Sequence, residues 1–198
     1  ENCALLTNSL KPYACCRHTH AADYCAQLLR GEHRLEPEHI TRIVDHTYQV
    51  AVNTVDNPEP STPYGYKFSG QYCTAAMLVY GHLGESAFTP EATSDPRVRR
   101  LMDKITLVCD PELEASYQAD RNRWAHRLEV TLEDGRVLTR QVEYLYGDFN
   151  NPFTWAYEHE KFHTLADGVL DPDRVAALVE RLPHLEELDD INRLFEGL

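Results

Sequence analysis

The feature that most narrows what this chain can fold into lies between Trp124 and Tyr146. Trp124, His126, Leu128, Val130 and Leu132 recur at every second position, with Arg127, Glu129 and Thr131 between them. Successive side chains of a strand point to opposite faces, so this period of two predicts a strand half-buried against a core. Asp134-Gly135 follows at once, and a return strand is read over 136–146. Asp-Gly between two such runs predicts a hairpin with a type I′ turn, whose positive φ angles Asp and Gly tolerate. The hairpin commits the chain to an antiparallel sheet with one covered face.

The rest of the chain fills in around that sheet. Residues 1–18 read as irregular or as a short entering strand. Ala21, Tyr24, Cys25, Leu28 and Leu29 have helical spacing, and Gly31 is expected to stop that helix. A long strand is read over 41–55, with Val44, His46, Tyr48, Val50 and Val52 on one face and Asp45, Thr47, Gln49 and Asn53 on the other. Pro58, Pro60 and Pro63 make 56–63 a loop. The segment 69–83 is a mostly apolar helix with Ala75 and Ala76 inside and Gly81 near its end. Asp95-Pro96 is an N-cap followed by proline at the first helical position, and Val98, Leu101, Met102 and Ile105 continue the spacing. Ile105, Leu107 and Cys109 then alternate as a strand. Asn151-Pro152, Asp171-Pro172 and Pro183 punctuate three terminal helical segments. Val175, Leu178, Val179 and Leu182 stripe one of them; Leu188, Ile191, Leu194 and Phe195 stripe another.

This order predicts an α+β fold: a mostly antiparallel sheet with helices on one side, followed by C-terminal helices. Residues 1–150 form the α/β part and 151–198 the helical segment.

A net charge of -13 argues against nucleic acid and against an anionic membrane surface, since both need a cationic face. It leaves room for a small anionic substrate held by a few local cations. No apolar run approaches the roughly 20 residues that span a bilayer, and the start carries no signal-peptide pattern. Of the cysteines Cys3, Cys15, Cys16, Cys25, Cys73 and Cys109, the last three sit in apolar patterns, as buried thiols do. Free thiols and an intracellular location follow, in the cytoplasm or, as the alternative, the mitochondrial matrix.

Chemistry concentrates in Lys11-Pro-Tyr-Ala-Cys-Cys-Arg-His-Thr-His20. Lys11 and Arg17 are able to hold carboxylates, and His18 or His20 to move a proton near neutral pH. The competing readings are a solvated basic loop, a zinc site on Cys15, Cys16, His18 and His20, and a Cys16–His20 nucleophile pair. The zinc spacing matches no usual motif, and the pair requires a helix that begins by Cys16. Tyr72, opening the apolar helix after Ser69-Gly70, offers either a hydroxyl aimed into a site or a satisfied core tyrosine.

Segments along nearly the whole chain agree, in order, with a known pattern. They are Lys11-Pro-Tyr-x-Cys-Cys-Arg-x-x-His20, Phe68-Ser-Gly-Gln-Tyr72, Asp95-Pro-Arg-Val98 through Lys104 to Asp110, Val130-Thr-Leu-Glu-Asp-Gly135 with Tyr146-Gly147, Asn151-Pro152 and Lys161-Phe162. Together they resemble the C-terminal domain of the MmgE/PrpD superfamily, which includes 2-methylcitrate dehydratase, cis-aconitate decarboxylase and iminodisuccinate epimerase. The resemblance implies a lid domain whose terminal helices return to an all-helical domain preceding Glu1, in the same chain or as a separate subunit. It implies a homodimer, and an active site between the two domains that uses no metal and no other cofactor. It implies a small di- or tricarboxylate substrate, with dehydration, decarboxylation or epimerisation by proton transfer beside a carboxylate. Lys11 matches the substrate-carboxylate lysine, with Arg17 beside it; Tyr72 matches a pocket tyrosine and His20 a histidine common just after the lysine. Some members place a histidine where Cys16 sits, which makes Cys16 a candidate for the proton-transfer position. The chain alone is expected to be nearly inactive. The alternatives are a non-catalytic carboxylate-binding or partner-binding module, and the Cys/His enzyme or zinc protein.

Overall fold

The computed structural model describes residues 4–195, which leaves Cys3 outside the described residues. Two compact units divide at Pro152 and Phe153.

The first unit is built on a four-stranded sheet. Its elements are α1 (His20–His33), β1 (Ile40–Thr47), α2 (Gln49–Val55), α3 (Pro63–Lys67), α4 (Gly70–Tyr80), α5 (Pro90–Thr93), α6 (Pro96–Met102), β2 (Ile105–Cys109), α7 (Pro111–Ala119), β3 (His126–Leu132) and β4 (Val137–Val142). The strand order is β2-β1-β3-β4. β1 runs parallel to β2 and antiparallel to β3, and β4 runs antiparallel to β3. The fold is therefore α+β, with a mostly antiparallel sheet. α1 packs on β3, β4 and α4, while α4 packs on β2 and α6. Under these helices lie Ile43, Ile105, Leu107, Leu128 and Val130, all buried.

Local chemistry explains the element ends. The Ser69 hydroxyl accepts from the Tyr72 N–H at 3.0 Å, and Gly81 closes α4 in the left-handed region at φ 80°. α4 is apolar all round because the sheet and two helices enclose it. Asp95 caps α6, accepting from the Arg97 N–H at 2.8 Å. The Arg97 guanidinium beside it holds its carboxyl down to about 2, helped by the Arg97 N–H and the Tyr80 hydroxyl. A folded pKa below the ordinary 3.8 gives stability that is complete above that value and lost as pH falls through 2. Asp95→Asn is expected to flatten that part of the acid-unfolding curve, followed by circular dichroism.

Several elements depart from the sequence reading. Gly31 does not stop α1, which runs on to His33 and closes at Arg34 in the left-handed region at φ 49°. A Cβ on Gly31 would meet nothing within 4 Å. Gly31→Ala is therefore expected to raise the unfolding free energy by about 1 kcal/mol, measured by urea denaturation.

The long strand stops at Thr47, and 49–55 is helical instead. Tyr48, Ala51 and Val55, spaced i, i+3 and i+7, are the buried residues there. Between Ile43 and Thr47 both faces of β1 are covered: Val44 is buried on one, and Ile43, Asp45 and Thr47 on the other, where a histidine satisfies Asp45. The hairpin is not type I′. The Gly135 N–H donates to the Leu132 carbonyl at 3.0 Å and Gly135 takes φ 85°, while Asp134 stays out of the positive-φ region. This is a three-residue loop with glycine at the left-handed position. β4 is shorter than expected, and α7 appears where no helix was expected. Cys109 is exposed, unlike buried Cys25 and Cys73, because it ends β2.

The second unit consists of α8 (Trp155–Ala166) and α9 (Pro172–Arg181), then 3₁₀ turns at Leu182–Glu187 and Ile191–Phe195 in place of the last expected α-helix. Pro183 enters the first turn, and His184 leaves helical geometry there. Among the described residues, no helix is long and apolar enough to cross a membrane.

Candidate active site

The segment before α1 is held by backbone hydrogen bonds to three separate parts of the first unit. Leu10 N–H donates to the Gly147 carbonyl, Ala14 N–H to Leu83, and Cys16 N–H to Lys67, each at 2.8 Å. Bonds so far apart in sequence fix the path of the segment and the direction in which its side chains leave.

Arg17 and His18 leave it together, toward Trp124. The His18 ring stacks on the indole, with centroids 4.4 Å apart and planes within 13°. The Arg17 guanidinium lies 4.8 Å from the same ring. Arg17 Nη2 donates to Ser9 Oγ at 2.6 Å and to Asp148 Oδ2 at 3.1 Å, and Ser9 Oγ donates to that carboxylate oxygen at 2.7 Å. The guanidinium is thus anchored while a third of its side chain stays exposed. His18 Nδ1 lies 2.7 Å from the Tyr48 hydroxyl. Burial pushes Tyr48 up, so it stays a phenol, and its oxygen is able to accept from an Nδ1–H of His18. Burial also pushes His18 down to about 4, and the neighbouring His126 and Arg17 side chains add to that. His18 is therefore a neutral imidazole at pH 7. Tyr48 itself is fixed by stacking on Tyr117 at 4.2 Å.

Behind this pair runs a buried chain. His126 Nδ1 is 2.7 Å from Asp45 Oδ1, and His126 Nε2 is 2.9 Å from Thr47 Oγ1. All three residues are at most 1% exposed. The order resembles a nucleophile triad, yet the hydroxyl is sealed from solvent and donates to the Ala125 carbonyl at 3.2 Å. The arrangement ties β1 to β3 and backs the Tyr48 ring, 6.0 Å from His126.

The residues expected from sequence divide into two groups. Lys11 is exposed, with Nζ donating to the Cys15 carbonyl at 2.9 Å, and Arg17 is half-buried beside His18. His20 is 1% exposed, its Nε2 3.3 Å from the Cys15 carbonyl and its ring edge-on to Tyr13. Tyr72 is fully buried and donates its hydroxyl to the Ala87 carbonyl, packed between Tyr66 and Phe88. Cys16 is buried, and burial pushes its thiol up, so it is no thiolate. The helix begins at His20 and not by Cys16, which removes the geometry that a Cys16–His20 pair required. Cys15, Cys16, His18 and His20 do not converge as a metal set. Among the described residues, the group of ligand types that does converge is Cys15, Asp23 and Cys73.

Sequence reasoning missed Tyr48, Trp124, Asp148 and the Asp45–His126 pair. An acid in the middle of an apolar strand was the one visible signal, and its partner lies on the neighbouring strand β3, 81 residues further along the chain.

The profile of the MmgE/PrpD C-terminal domain matches residues 13–184. The chain is 31% identical over 136 residues to the mitochondrial 2-methylcitrate dehydratase of Yarrowia lipolytica, covering 66% of this chain and 26% of that protein. It is 34% identical over 111 residues to the 2-methylcitrate dehydratase of Cupriavidus necator, covering 54% and 23%. It is 28% identical over 206 residues to the cis-aconitate decarboxylase of Aspergillus terreus, covering 97% and 40%. The chain thus spans well under half the length of these relatives.

Proposed function

The chain belongs to the MmgE/PrpD family, as its C-terminal domain, and from that premise we propose that it serves a lyase or isomerase acting on a small di- or tricarboxylate. The observation that carries the reading is the Arg17–His18 pair on Trp124, a cation and an imidazole side by side at the surface of a rigid scaffold.

The reaction class asks for such a pair. Taking a proton from carbon beside a carboxylate builds negative charge on that carboxylate, and fixed cations stabilise it. Arg17, already oriented by Ser9 and Asp148, takes one carboxylate, and Lys11 a second. His18 carries the proton. Its low pKa makes it a weak base in the free protein, and the negative charge of a bound carboxylate raises it toward neutrality. In the tautomer that serves as base, Nδ1–H donates to the Tyr48 oxygen and Nε2 presents its lone pair to the substrate. The carbanion then expels a neighbouring hydroxyl as water with a proton from an acid, takes a proton from a second acid on its other face, or, in a decarboxylation, is formed by loss of carbon dioxide and protonated. In this reading the reaction needs no metal. His20 and Tyr72 support the pocket from within the core.

The remaining groups come from an all-helical N-terminal domain, in the same chain or as a second subunit, in a homodimeric enzyme of the cytoplasm or mitochondrial matrix. The test is the natural-length protein incubated with 2-methylcitrate and with cis-aconitate in deuterated water. Product formation, or exchange of the hydrogen beside a carboxylate, is expected by mass spectrometry. Neither turnover nor exchange with either compound would sink the reading. The chain alone is expected to show little of that activity.

A further inference from the structure

Cys15, Asp23 and Cys73 come from the segment before α1, from α1 and from α4, and none serves the chemistry above. Their relative exposures are 3%, 0% and 0%. Their donor atoms all lie within 4.8 Å of one another. Cys15 Sγ is 3.6 Å from Asp23 Oδ2. A tetrahedral zinc ion, with bonds of about 2.3 Å to sulfur and 2.0 Å to oxygen, sets sulfur and oxygen ligands about 3.5 Å apart.

A second observation points to a cation. Asp23 Oδ1 is buried with no hydrogen-bond partner, while Oδ2 accepts from Thr19 Oγ1 at 2.7 Å. A buried carboxylate oxygen without a donor is costly, and native proteins pair such groups with a charge or a metal. Thr19 Oγ1 also lies 3.2 Å from Cys15 Sγ. It thus supplies the hydrogen bond to a ligating carboxylate that metal sites use to hold their ligands. Two thiolates with a carboxylate suit zinc better than a hard cation such as magnesium or calcium.

We propose that Cys15, Cys73 and Asp23 form a buried zinc(II) site that pins the segment carrying Arg17 and His18 to α1 and α4. Both thiols give up their protons to solvent as the metal binds. The site is structural and takes no part in the carbon chemistry, so it stands or falls apart from the proposed reaction.

The test uses the purified chain, kept reduced and free of chelator. Metal analysis should find about one zinc per chain, with a fourth ligand beside these three protein donors completing the tetrahedron. Cobalt(II) in its place should give a sulfur-to-cobalt charge-transfer band and the strong visible bands of tetrahedral cobalt. Cys73→Ala and Asp23→Asn should lose the metal; Cys25→Ala, a buried thiol outside the group, should keep it. Should Cys73→Ala and Asp23→Asn fail to fold, the wild-type protein still decides: bound zinc should protect two thiols from a thiol reagent, and removing it should lower the melting temperature. A folded chain that binds neither zinc nor cobalt overturns the proposal. So does a cobalt spectrum without the thiolate band, a metal retained in Cys73→Ala, or a disulfide between Cys15 and Cys73.

Discussion

Replacing His126 with alanine should lower the unfolding free energy by about 3–5 kcal/mol, because it leaves the buried Asp45 carboxyl without its partner and empties the volume of the ring. The pair spans β1 and β3, with 2.7 Å between His126 Nδ1 and Asp45 Oδ1, and both side chains are nearly sealed from water. Alanine leaves the Asp45 carboxyl among Leu107, Leu128 and their neighbours with no partner. Thr47 keeps its bond to the Ala125 carbonyl, so the loss comes from Asp45 and from the volume of the ring.

The same physics predicts a partial recovery. An Asp45→Leu, His126→Leu double variant removes both desolvated groups, and such pairs are often replaced by apolar residues at little cost. Its destabilisation should be smaller than the sum of the two single losses, as read from a double-mutant cycle in urea. A His126→Ala loss below about 1 kcal/mol, the worth of an ordinary hydrogen bond, would mean the pair does not anchor the sheet.

The Asp45–His126 pair also marks where sequence reading stops. α4 was legible because Ser69, Gly81 and an apolar run all point to one helix. α7 was not recognised, although Asp110-Pro111 repeats the signal of Asp95-Pro96; Cys109 before it and the acidic Glu112 and Glu114 after it obscured the apolar spacing of Leu113 and Tyr117. In β1 the face of Asp45 and Thr47 was taken as exposed although it is buried like that of Val44, since hydropathy treats Asp45 as exposed whatever it bonds to. From Gln49 onward the valines fit a period of two as well as one of 3.6, and only the burial of Tyr48, Ala51 and Val55 decides for the helix. In the candidate site, the segment 11–20 was legible as chemistry. Which of its histidines faces outward was not, because that depends on Trp124 and Tyr48 arriving from other elements. His20 is the first residue of α1 and turns inward, whereas His18 sits in the 3₁₀ turn before it and turns toward the indole.

That distinction gives the second large effect. In the natural-length enzyme, His18→Gln is expected to lower kcat by about 100- to 10,000-fold, the range for removing a positioned proton carrier. KM should change far less, because Arg17 and Lys11 still hold carboxylates. A stability loss alone would imitate part of this, so pH supplies the separate readout. His18 is held down to about 4 in the folded protein, below the ordinary 6.5. Between those values the unfolded chain binds a proton that the folded chain refuses, so stability falls as pH falls through that window. Gln has no such proton. The variant should therefore unfold less readily than wild type on acidification from pH 6.5 to pH 4, relative to their difference at neutral pH. If kcat is unchanged while this acid sensitivity disappears, His18 is a packed imidazole and the proton is carried elsewhere. If kcat collapses and folding at neutral pH is intact, the outward histidine of the segment is the one that does the chemistry.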